Sequence, residues 1–307
     1  MGSLPAERLT QTKPFAISGV DLCGPFSTSC RIRGKVPYKT KAVFICFAPK
    51  AVHVELVSDL STNTFVLCLK RFVGRRGLPE SIWCDNATNF VGAHSLLDEF
   101  RKQLFSQQAL QDLKTFTSST GVSFHFIPPR APHFGGLWEA AVKSMKHLLV
   151  KNIGNSGLTY EELQTVAIEV EAVLNSRPTA PISEDPNDGE ALTPSHFLLG
   201  SSLKALPEPC LENRNPNSLT RWHRVTYLKQ QFWELWRRDY KWLTPQANIT
   251  PGQLVIIHDD HTPPQQWPLG RILNTCSGAD GKVRVVDIKT MKRVIRRPIC
   301  KIAPLPV

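Results

Sequence analysis

Three carboxylates stand where an unpaired carboxylate would be costly. Asp21 interrupts the apolar run "ISGVDLCGPF", Asp85 ends the apolar run in "SIWCDN", and Glu139 follows Gly135-Gly136 at the start of a helical pattern. A buried carboxylate is tolerated when a metal ion or a basic partner binds its charge. The ordinary alternatives are a turn cap for Asp21 and a favourable interaction with the helix dipole for Glu139.

The three side chains together indicate metal-dependent chemistry if the fold brings them close. Carboxylates that meet repel one another unless cations lie among them, and hard oxygen ligands select Mg²⁺ or Mn²⁺. Two such ions about 3.5–4 Å apart activate an attacking oxygen and stabilise a leaving one in phosphoryl transfer. The pattern therefore predicts Asp21, Asp85 and Glu139 as catalytic metal ligands.

The strands that would position Asp21 form the first part of the chain. Apolar or alternating runs at 17–23, 41–48 ("KAVFICFA") and 51–57 ("AVHVELV") predict three strands, and the first is predicted to end at Gly24-Pro25. Pro49-Lys50 supplies a turn between the second and third. The three runs predict an antiparallel meander.

Alternating helices and strands follow the meander. Ser61 or Thr62 can cap a helix that Gly77 and Pro79 end, and Phe65, Leu69 and Phe72 share one of its faces. Further elements are a strand at 81–86, a helical pattern at 90–115, a strand at 122–128, a long helix closed by Gly154 and a helix ended before Pro178. This order predicts a ribonuclease-H-like α/β domain with a mixed five-stranded sheet, in which the ends of strands one and four are neighbours and the long helix crosses beside them.

The remainder of the chain predicts a connector, a helix and a small β domain. Thr193 can cap a short helix with Pro194 at its first position. The helix at 220–243 carries an aromatic seam, interpreted as packing, that consists of Trp222, Val225, Phe232, Leu235 and Trp236. Its opposite faces carry basic residues: Arg221, Arg224, Lys229, Arg237, Arg238 and Lys241. From Pro251 the period changes to two, and five short strands predict an SH3-like β-barrel that folds independently.

The predicted segments and their limits are as follows: 1–15, an irregular segment; 16–178, the catalytic core; 179–218, the connector; 219–250, an aromatic basic helix; and 251–307, the barrel.

Charge predicts a polyanionic partner. Lys and Arg number 37 against 26 Asp and Glu, which gives a net charge of +11 and a pI of about 9.4. Nucleic acid is the first expectation and acidic lipid the second. No apolar segment reaches the length of a membrane span, and the N-terminus lacks a signal-peptide pattern.

Cysteine usage predicts a reducing compartment. The chain has eight cysteines without a CxxC pair, and no His pair stands at zinc-finger spacing. A structural zinc site is therefore not expected.

The stretches "GVDLCGPF", "WCDNATNFVG" and "PHFGGLWEAAVKSMK" together resemble the D,D,E catalytic core of retroviral-type integrases. With "LNSRPTAPISEDPNDGEALTPSHFLLG", the Trp-rich helix and the terminal barrel, the chain resembles the BEL/Pao class of LTR retrotransposons. The resemblance implies Asp21, Asp85 and Glu139 as metal ligands, Mg²⁺ as cofactor, and DNA 3′-end processing and strand transfer as activity. It also implies a homo-oligomer that acts on element ends and target duplex in the nucleus, reached through the cytoplasm, without a membrane or a small-molecule substrate.

The chain departs from that family pattern in three places. Residues 86–138 separate the second Asp from the Glu, a wider spacing than in retroviral enzymes, and an insertion around 95–120 would account for it. Ala87 stands where the family usually has Gly. The zinc-binding His/Cys module that precedes the core in the family is absent from this sequence, which predicts a fragment or a truncated gene.

Several basic residues are candidates for DNA contact. Lys143 and Lys146 lie on the helical face of Glu139, and matching family positions contact DNA ends; the alternative is a solvated helix face. The other candidates are Arg130 and His133 in the Pro/Gly loop, and Arg293, Arg296 and Arg297 in the barrel. His53 and Glu55 are predicted to lie on one solvent-facing side of the third strand.

Three functions remain open from sequence alone. An integrase-type polynucleotidyl transferase or nuclease is favoured by the intact set of three carboxylates. A domesticated or truncated nucleic-acid-binding protein without turnover is favoured by the missing zinc module. A ribonuclease H would also use such carboxylates as metal ligands, but the long loop before Glu139 and the terminal barrel argue against this function.

Overall fold

The computed structural model describes eleven segments of the chain: residues 13–27, 38–58, 62–84, 111, 122–126, 153, 157–183, 190–239, 249–259, 262–278 and 281–305. The chain forms two compact units. The first unit comprises Met1–Glu171 and Asn213–Phe232, and the second comprises Ala172–Glu212 and Trp233–Val307. The five segment limits predicted from the sequence stay predictions.

The first unit is built on a mixed sheet with helices. Its described elements are β1 (Ile17–Ser27), β2 (Tyr38–Cys46), β3 (Val52–Val57), α1 (Thr62–Arg76), β4 (Ser81–Cys84), β5 (Ser123–Phe126) and most of α2 (Tyr160–Asn175). The strand order is β3-β2-β1-β4-β5. The meander β1-β2-β3 is antiparallel, whereas β4 pairs parallel with both β1 and β5. The predicted meander and the predicted mixed five-stranded α/β sheet are confirmed.

The first strand is longer than predicted. The sequence predicts that β1 ends at Gly24-Pro25, but the strand runs to Ser27. Its pairing with β2 becomes irregular between Cys23 and Phe26 and then resumes. Proline cannot donate to the ladder, and strands accommodate it at such irregularities. Pairing with β2 therefore lets β1 continue past Gly24-Pro25.

An aromatic cluster joins α1 to the sheet. Phe72 of α1 stacks on Phe44 of β2 with ring centroids 4.2 Å apart, and Phe15 meets Phe72 edge-on at 5.5 Å. Phe65 and Leu69 of α1 are also buried, so the predicted face of this helix is confirmed. Burial of such side chains contributes about 1.5–3 kcal/mol each.

The prediction of a solvent-facing side for β3 is wrong. His53 is 1% exposed and Glu55 is 3% exposed. Nε2 of His53 lies 3.1 Å from Oε1 of Glu55. Nε of Arg71 and Nη1 of Arg75 donate to the two Glu55 oxygens at 2.8 and 2.9 Å. Cations from α1 therefore compensate a carboxylate that the alternating pattern had assigned to solvent.

Glu171 of α2 completes this charge network. The backbone N–H of Val54 donates to its Oε2 at 2.9 Å, and Arg76 forms an ion pair with its Oε1. Since β3 is an edge strand, the N–H of Val54 would otherwise lack a ladder partner. The carboxylate thereby joins β3, α1 and α2.

His53 links the two carboxylates and has two possible partners on one nitrogen. Nδ1 lies 3.2 Å from Nε of Arg76 and 3.5 Å from Oε2 of Glu171. The neutral ring accepts from Arg76, and the protonated ring donates to Glu171. Burial alone would lower the pKa of His53, but hydrogen bonds to Glu171 and Glu55 outweigh it and raise the pKa.

The first prediction concerns the network's contribution to stability. Glu171→Gln should lower the free energy of unfolding by about 3 kcal/mol, because it leaves a partly buried Arg76 without its counter-ion. Urea unfolding of the full chain measures the change. Glu161→Gln, an exposed carboxylate on the same helix, is the matched control and should stay within about 0.5 kcal/mol of wild type. Equal losses for both variants would contradict the role of Glu171.

The second prediction concerns pH. Because the folded pKa of His53 is raised, its stabilisation is complete below the ordinary pKa of 6.5 and is lost as pH rises through the folded pKa. The pKa of Glu55 is lowered by hydrogen bonds that outweigh its burial, so it stays ionised throughout this range. The destabilisation caused by His53→Gln should therefore be larger at about pH 5.5 than at about pH 9. A destabilisation independent of pH would contradict the assignment.

The second unit contains the connector and the C-terminal strands. Its elements after α2 are β6 (Ala180–Pro181), β7 (Ala191–Leu192), α3 (Pro194–Leu199), the end of α4 (Arg221–Asp239), β8 (Leu254–Ile257), β9 (Leu269–Ser277), β10 (Val283–Lys289), β11 (Val294–Pro298) and β12 (Ile302–Pro304). Thr193 is the N-cap of α3 and Pro194 its first residue, as predicted. Gly200 ends α3 with a φ of 76°.

The C-terminal strands form one antiparallel sheet in the order β11-β10-β9-β8-β12. The predicted five strands are confirmed. The described residues show an open sheet with β11 and β12 at its edges, so closure into an SH3-like barrel is not shown.

Strand β8 of this C-terminal sheet is buried and apolar on both faces. One face holds a buried cluster that includes Val255, Val286 and Ile288. On the other face, Leu254 and Ile256 pack with Ala191 of the connector. Residues outside 251–307 thus share the core of the sheet. Independent folding of 251–307 stays a prediction.

The helix α4 differs from its predicted packing. Trp222, assigned to the buried seam, is 57% exposed, whereas Trp233 is 1% exposed. Two cations assigned to the faces opposite the seam are buried: Lys229 pairs with Glu169 at 2.7 Å, and Arg237 pairs with Glu234 at 2.7 Å. The helical period correctly locates α4, but more than one face of this helix is buried, so the period alone does not identify its buried residues.

Two further observations concern the described residues alone. The six cysteines whose side chains are described are free thiols: Cys46, Cys68, Cys84, Cys210, Cys276 and Cys300. None of the helices in the described part of the chain is long and apolar enough to cross a membrane.

Candidate functional site

Asp21 lies at the carboxyl end of the parallel pair β1 and β4. The register of this pair runs from Ile17 opposite Ser81 to Val20 opposite Cys84, and Asp21 is the next residue. In open α/β sheets, ligands bind outside the carboxyl ends of parallel strands. The half-buried side chain of Asp21 is therefore at a position suited to a site.

An aromatic pair lies on the face of the sheet that carries Asp21. Gly19 is opposite Trp83, and strand alternation places Gly19 and Asp21 on the same face. Trp83 stacks on His125 of β5 with centroids 4.7 Å apart. Its Nε1 is buried without a hydrogen-bond partner in the described part of the chain. A donor of this kind can serve a bound oxyanion.

The sequence analysis did not single out Trp83. The spacing of Trp83 and Asp85 could have indicated it, because residues two apart in an extended run lie on the same face of a strand. The missing information was the partner strand, which stacks the imidazole of His125 against the indole.

The remaining residues of the predicted core site lie outside the described residues: Asp85, Glu139, Lys143, Lys146, Arg130 and His133. The structure thus describes one of the three carboxylates. Within the described ranges, no group of three or more His, Cys, Asp and Glu side chains is placed to hold a metal ion.

The predicted basic residues of the C-terminal sheet are described, and they differ in their surroundings. Arg296 lies opposite Asp287 across β10 and β11, and its Nε and Nη2 donate to the carboxylate at 2.7 and 3.1 Å. The hydrogen bond from Arg296 lowers the pKa of Asp287. An adjacent carboxylate therefore compensates the charge of Arg296.

Arg293 differs from Arg296 because no carboxylate among the described residues pairs with its exposed side chain, and its backbone is held in the turn between β10 and β11. Arg297 is half-buried, and its Nη1 is 3.4 Å from the carbonyl oxygen of Arg296. Lys292, which the sequence analysis did not select, is exposed beside Arg293. The turn is thus the more available part of the basic surface.

The third prediction separates these arginines. If the C-terminal sheet contacts DNA phosphates, Arg293→Ala should reduce the slope of log affinity against log salt by about one. Arg296→Ala is the matched control and should change the slope less, because Asp287 already neutralises Arg296. Fluorescence titration of duplex DNA at several salt concentrations measures both slopes. A larger change in slope for Arg296→Ala than for Arg293→Ala would show that Arg296 leaves Asp287 and contacts DNA.

The C-terminal part of the chain matches a known family model. Residues 220–305 match DUF5641, a family of unknown function, in one stretch that includes α4 and the C-terminal sheet. No curated protein sequence matches the chain.

Two solved structures align with the chain at low similarity. A simian T-cell lymphotropic virus intasome, solved in complex with a PP2A regulatory subunit, is 14% identical with a TM-score of 0.42, covering 96% of this chain and 80% of that chain. The HTLV-2 integrase catalytic core domain in complex with magnesium is 16% identical with a TM-score of 0.38, covering 61% of this chain and 97% of that chain.

Proposed function

We propose that the chain is an integrase-type polynucleotidyl transferase that processes DNA 3′ ends and joins them to a target duplex. Asp21, Asp85 and Glu139 hold Mg²⁺ or Mn²⁺ in this proposal. The observation that carries it is the parallel register of β1 and β4, which ends at Val20 and Cys84, immediately before Asp21 and Asp85.

Covalent geometry connects that register to the second carboxylate. Consecutive Cα atoms are about 3.8 Å apart, and neighbouring strands are about 4.8 Å apart. Asp85 is bonded to Cys84, whose partner Val20 is bonded to Asp21. These short connections support a close approach of the Asp21 and Asp85 carboxylates, as binding of the same metal ion requires. The motif "PHFGGLWEAAVKSMK" supports Glu139 as the third ligand.

The residue types fit a hard divalent cation. Carboxylate oxygens are the ligands that Mg²⁺ and Mn²⁺ prefer, and half-buried Asp21 lies where the parallel pairing of β1 and β4 ends. Such ions, when bound, activate an attacking oxygen and stabilise the leaving one. The protein's own part is to hold Asp21 at the carboxyl end of the parallel pairing and to offer the buried Nε1–H of Trp83 on the face of Asp21.

The finer features of this proposal rest on sequence motifs. The stretches quoted above favour the BEL/Pao class, with DNA ends and target duplex as partners, a homo-oligomeric assembly, Lys143, Lys146, Arg130 and His133 as contacts, and action in the nucleus. We further propose that the C-terminal sheet closes into a small SH3-like barrel. The short 3-10 helix at Ile299–Lys301, between β11 and β12, supports a sharp return of the chain.

A second candidate is a DNA-binding protein without turnover. The observation that favours it is the exposed basic turn of the C-terminal sheet, which needs no carboxylate site to bind phosphates. The net charge of +11 supports the same function.

The fourth prediction separates the two candidates. Asp21→Asn, Asp85→Asn and Glu139→Gln should each lower metal-dependent nicking or joining of labelled DNA ends by roughly 100-fold or more, because the ions lose a charged ligand. DNA affinity should persist in all three. Glu80→Gln, which neutralises an exposed carboxylate at the other end of β4, is the control and should cut like wild type.

Two outcomes would decide against catalysis by these carboxylates. Wild-type protein that binds DNA but shows no metal-dependent nicking supports the second candidate. Single variants that cut at the wild-type rate would exclude the metal site as assigned.

A further inference from the structure

The hairpin of β10 and β11 ends in a short turn that is held by its own hydrogen bonds. The backbone N–H of Thr290 donates to the carbonyl of Arg293 at 2.9 Å. Oγ1 of Thr290 donates to the same carbonyl at 2.6 Å and accepts from the N–H of Arg293 at 3.1 Å. The two residues between them, Met291 and Lys292, form the tip.

The residues at the tip are not those that a two-residue hairpin turn favours. Such turns prefer Asn-Gly or Asp-Gly because their central residues adopt positive φ. Met291 and Lys292 are absent from the positive-φ residues in the described part of the chain. Thr290 closes the turn by its side chain, so the turn itself does not explain an apolar residue at the tip.

Met291 is the most exposed large apolar side chain among the described residues, at 84%. Val294, at the start of β11, is 57% exposed. Lys292 and Arg293 lie between them and are exposed. The sequence contains no acid from Lys289 to Lys301. The tip is therefore an apolar point surrounded by positive charge on a fixed turn.

We propose that this tip is a DNA wedge, in which Met291 enters between two base pairs from the minor groove while Lys292 and Arg293 contact the flanking phosphates. The inference rests on the proposed DNA-directed function and adds a site and a mode of binding to it. Proteins that bend DNA insert apolar side chains, methionine among them, and unstack a base step. Pyrimidine–purine steps such as TA unstack most easily and should be preferred.

An anionic lipid surface is the other polyanion that such a tip could meet. Stable interfacial binding requires a broad apolar face that enters the bilayer boundary. Here the apolar part of the tip is limited to Met291 and the neighbouring Val294. A single inserted side chain is enough to unstack a base step, so the charge and the small apolar area together favour duplex DNA.

The test uses the full chain and a duplex of about 30 base pairs with one central TA step. 2-Aminopurine beside that step reports unstacking by a rise in fluorescence, and dyes at the two ends report bending by energy transfer. Wild-type protein should raise both signals on binding. Met291→Ala should abolish both signals and weaken binding roughly tenfold, with the salt slope unchanged, because only apolar contact is lost.

Matched variants separate wedge, charge and general surface effects. Met291→Leu should keep both signals, since an apolar side chain of similar size remains. Leu206→Ala removes another highly exposed apolar side chain of the second unit, at 77%, and should behave as wild type. Lys292→Ala combined with Arg293→Ala should lower the salt slope by about two but keep the fluorescence rise at saturating protein.

The outcomes that overturn the wedge are distinct from those that overturn catalysis. DNA binding by wild-type protein without unstacking, or equal signals from wild type and Met291→Ala, rejects the wedge. Binding to phosphatidylserine vesicles that depends on Met291, without binding to DNA, also rejects it and reassigns the tip to lipid. Asp21→Asn should bend and unstack DNA as wild type does while failing to cut, so a loss of cutting alone leaves the wedge in place.

Discussion

The hydrogen-bond register of β1 is the constraint on which the candidate site depends. This strand pairs antiparallel with β2 and parallel with β4, and both ladders fix it at once. Val20 lies opposite Phe44, whose ring stacks on Phe72 of α1. A slip of one residue would exchange the faces of the strand and place the Asp21 carboxylate against that aromatic cluster. The apolar core thereby selects the register that leaves Asp21 at the carboxyl end of the parallel pairing with β4.

The far edge of the same sheet is held by charge as well as by apolar packing. Glu171 accepts from the N–H of Val54 on edge strand β3 and pairs with Arg76, and His53 connects it to Glu55. An unpaired edge invites association with other strands, and a buried carboxylate on the edge prevents it. Buried ion pairs gain little net stability, but removal of one partner is costly. The network therefore fixes which helices cover β3, and it does so in a protonation-dependent way.

The C-terminal sheet combines a shared core with an exposed basic edge. Arg271 of β9 donates to the carbonyl of Ser183, so the sheet is bonded to the connector as well as packed on it, and Trp267, just before β9, donates to Ser176 after α2. The hairpin of edge strand β11 projects Met291 and its neighbouring cations. Val286 and Ile288 of β10, buried on one face of the sheet, give such a hairpin a fixed base, which is what insertion of a side chain into stacked bases requires.

The sequence by itself determined what is local. The period of two located the strands, Gly77 marked the end of α1, and the apolar runs identified Asp21 as an unusual carboxylate, because these signals depend on neighbouring residues alone. The tertiary structure decided what depends on distant partners. The alternating pattern assigned His53 and Glu55 to solvent, whereas side chains from α1 and α2 bury both. A period defines the faces of a strand but not what covers them. The same limit applies to α4: the helical period put Trp222 in the seam and left Trp233 out of it, whereas packing exposes Trp222 and buries Trp233.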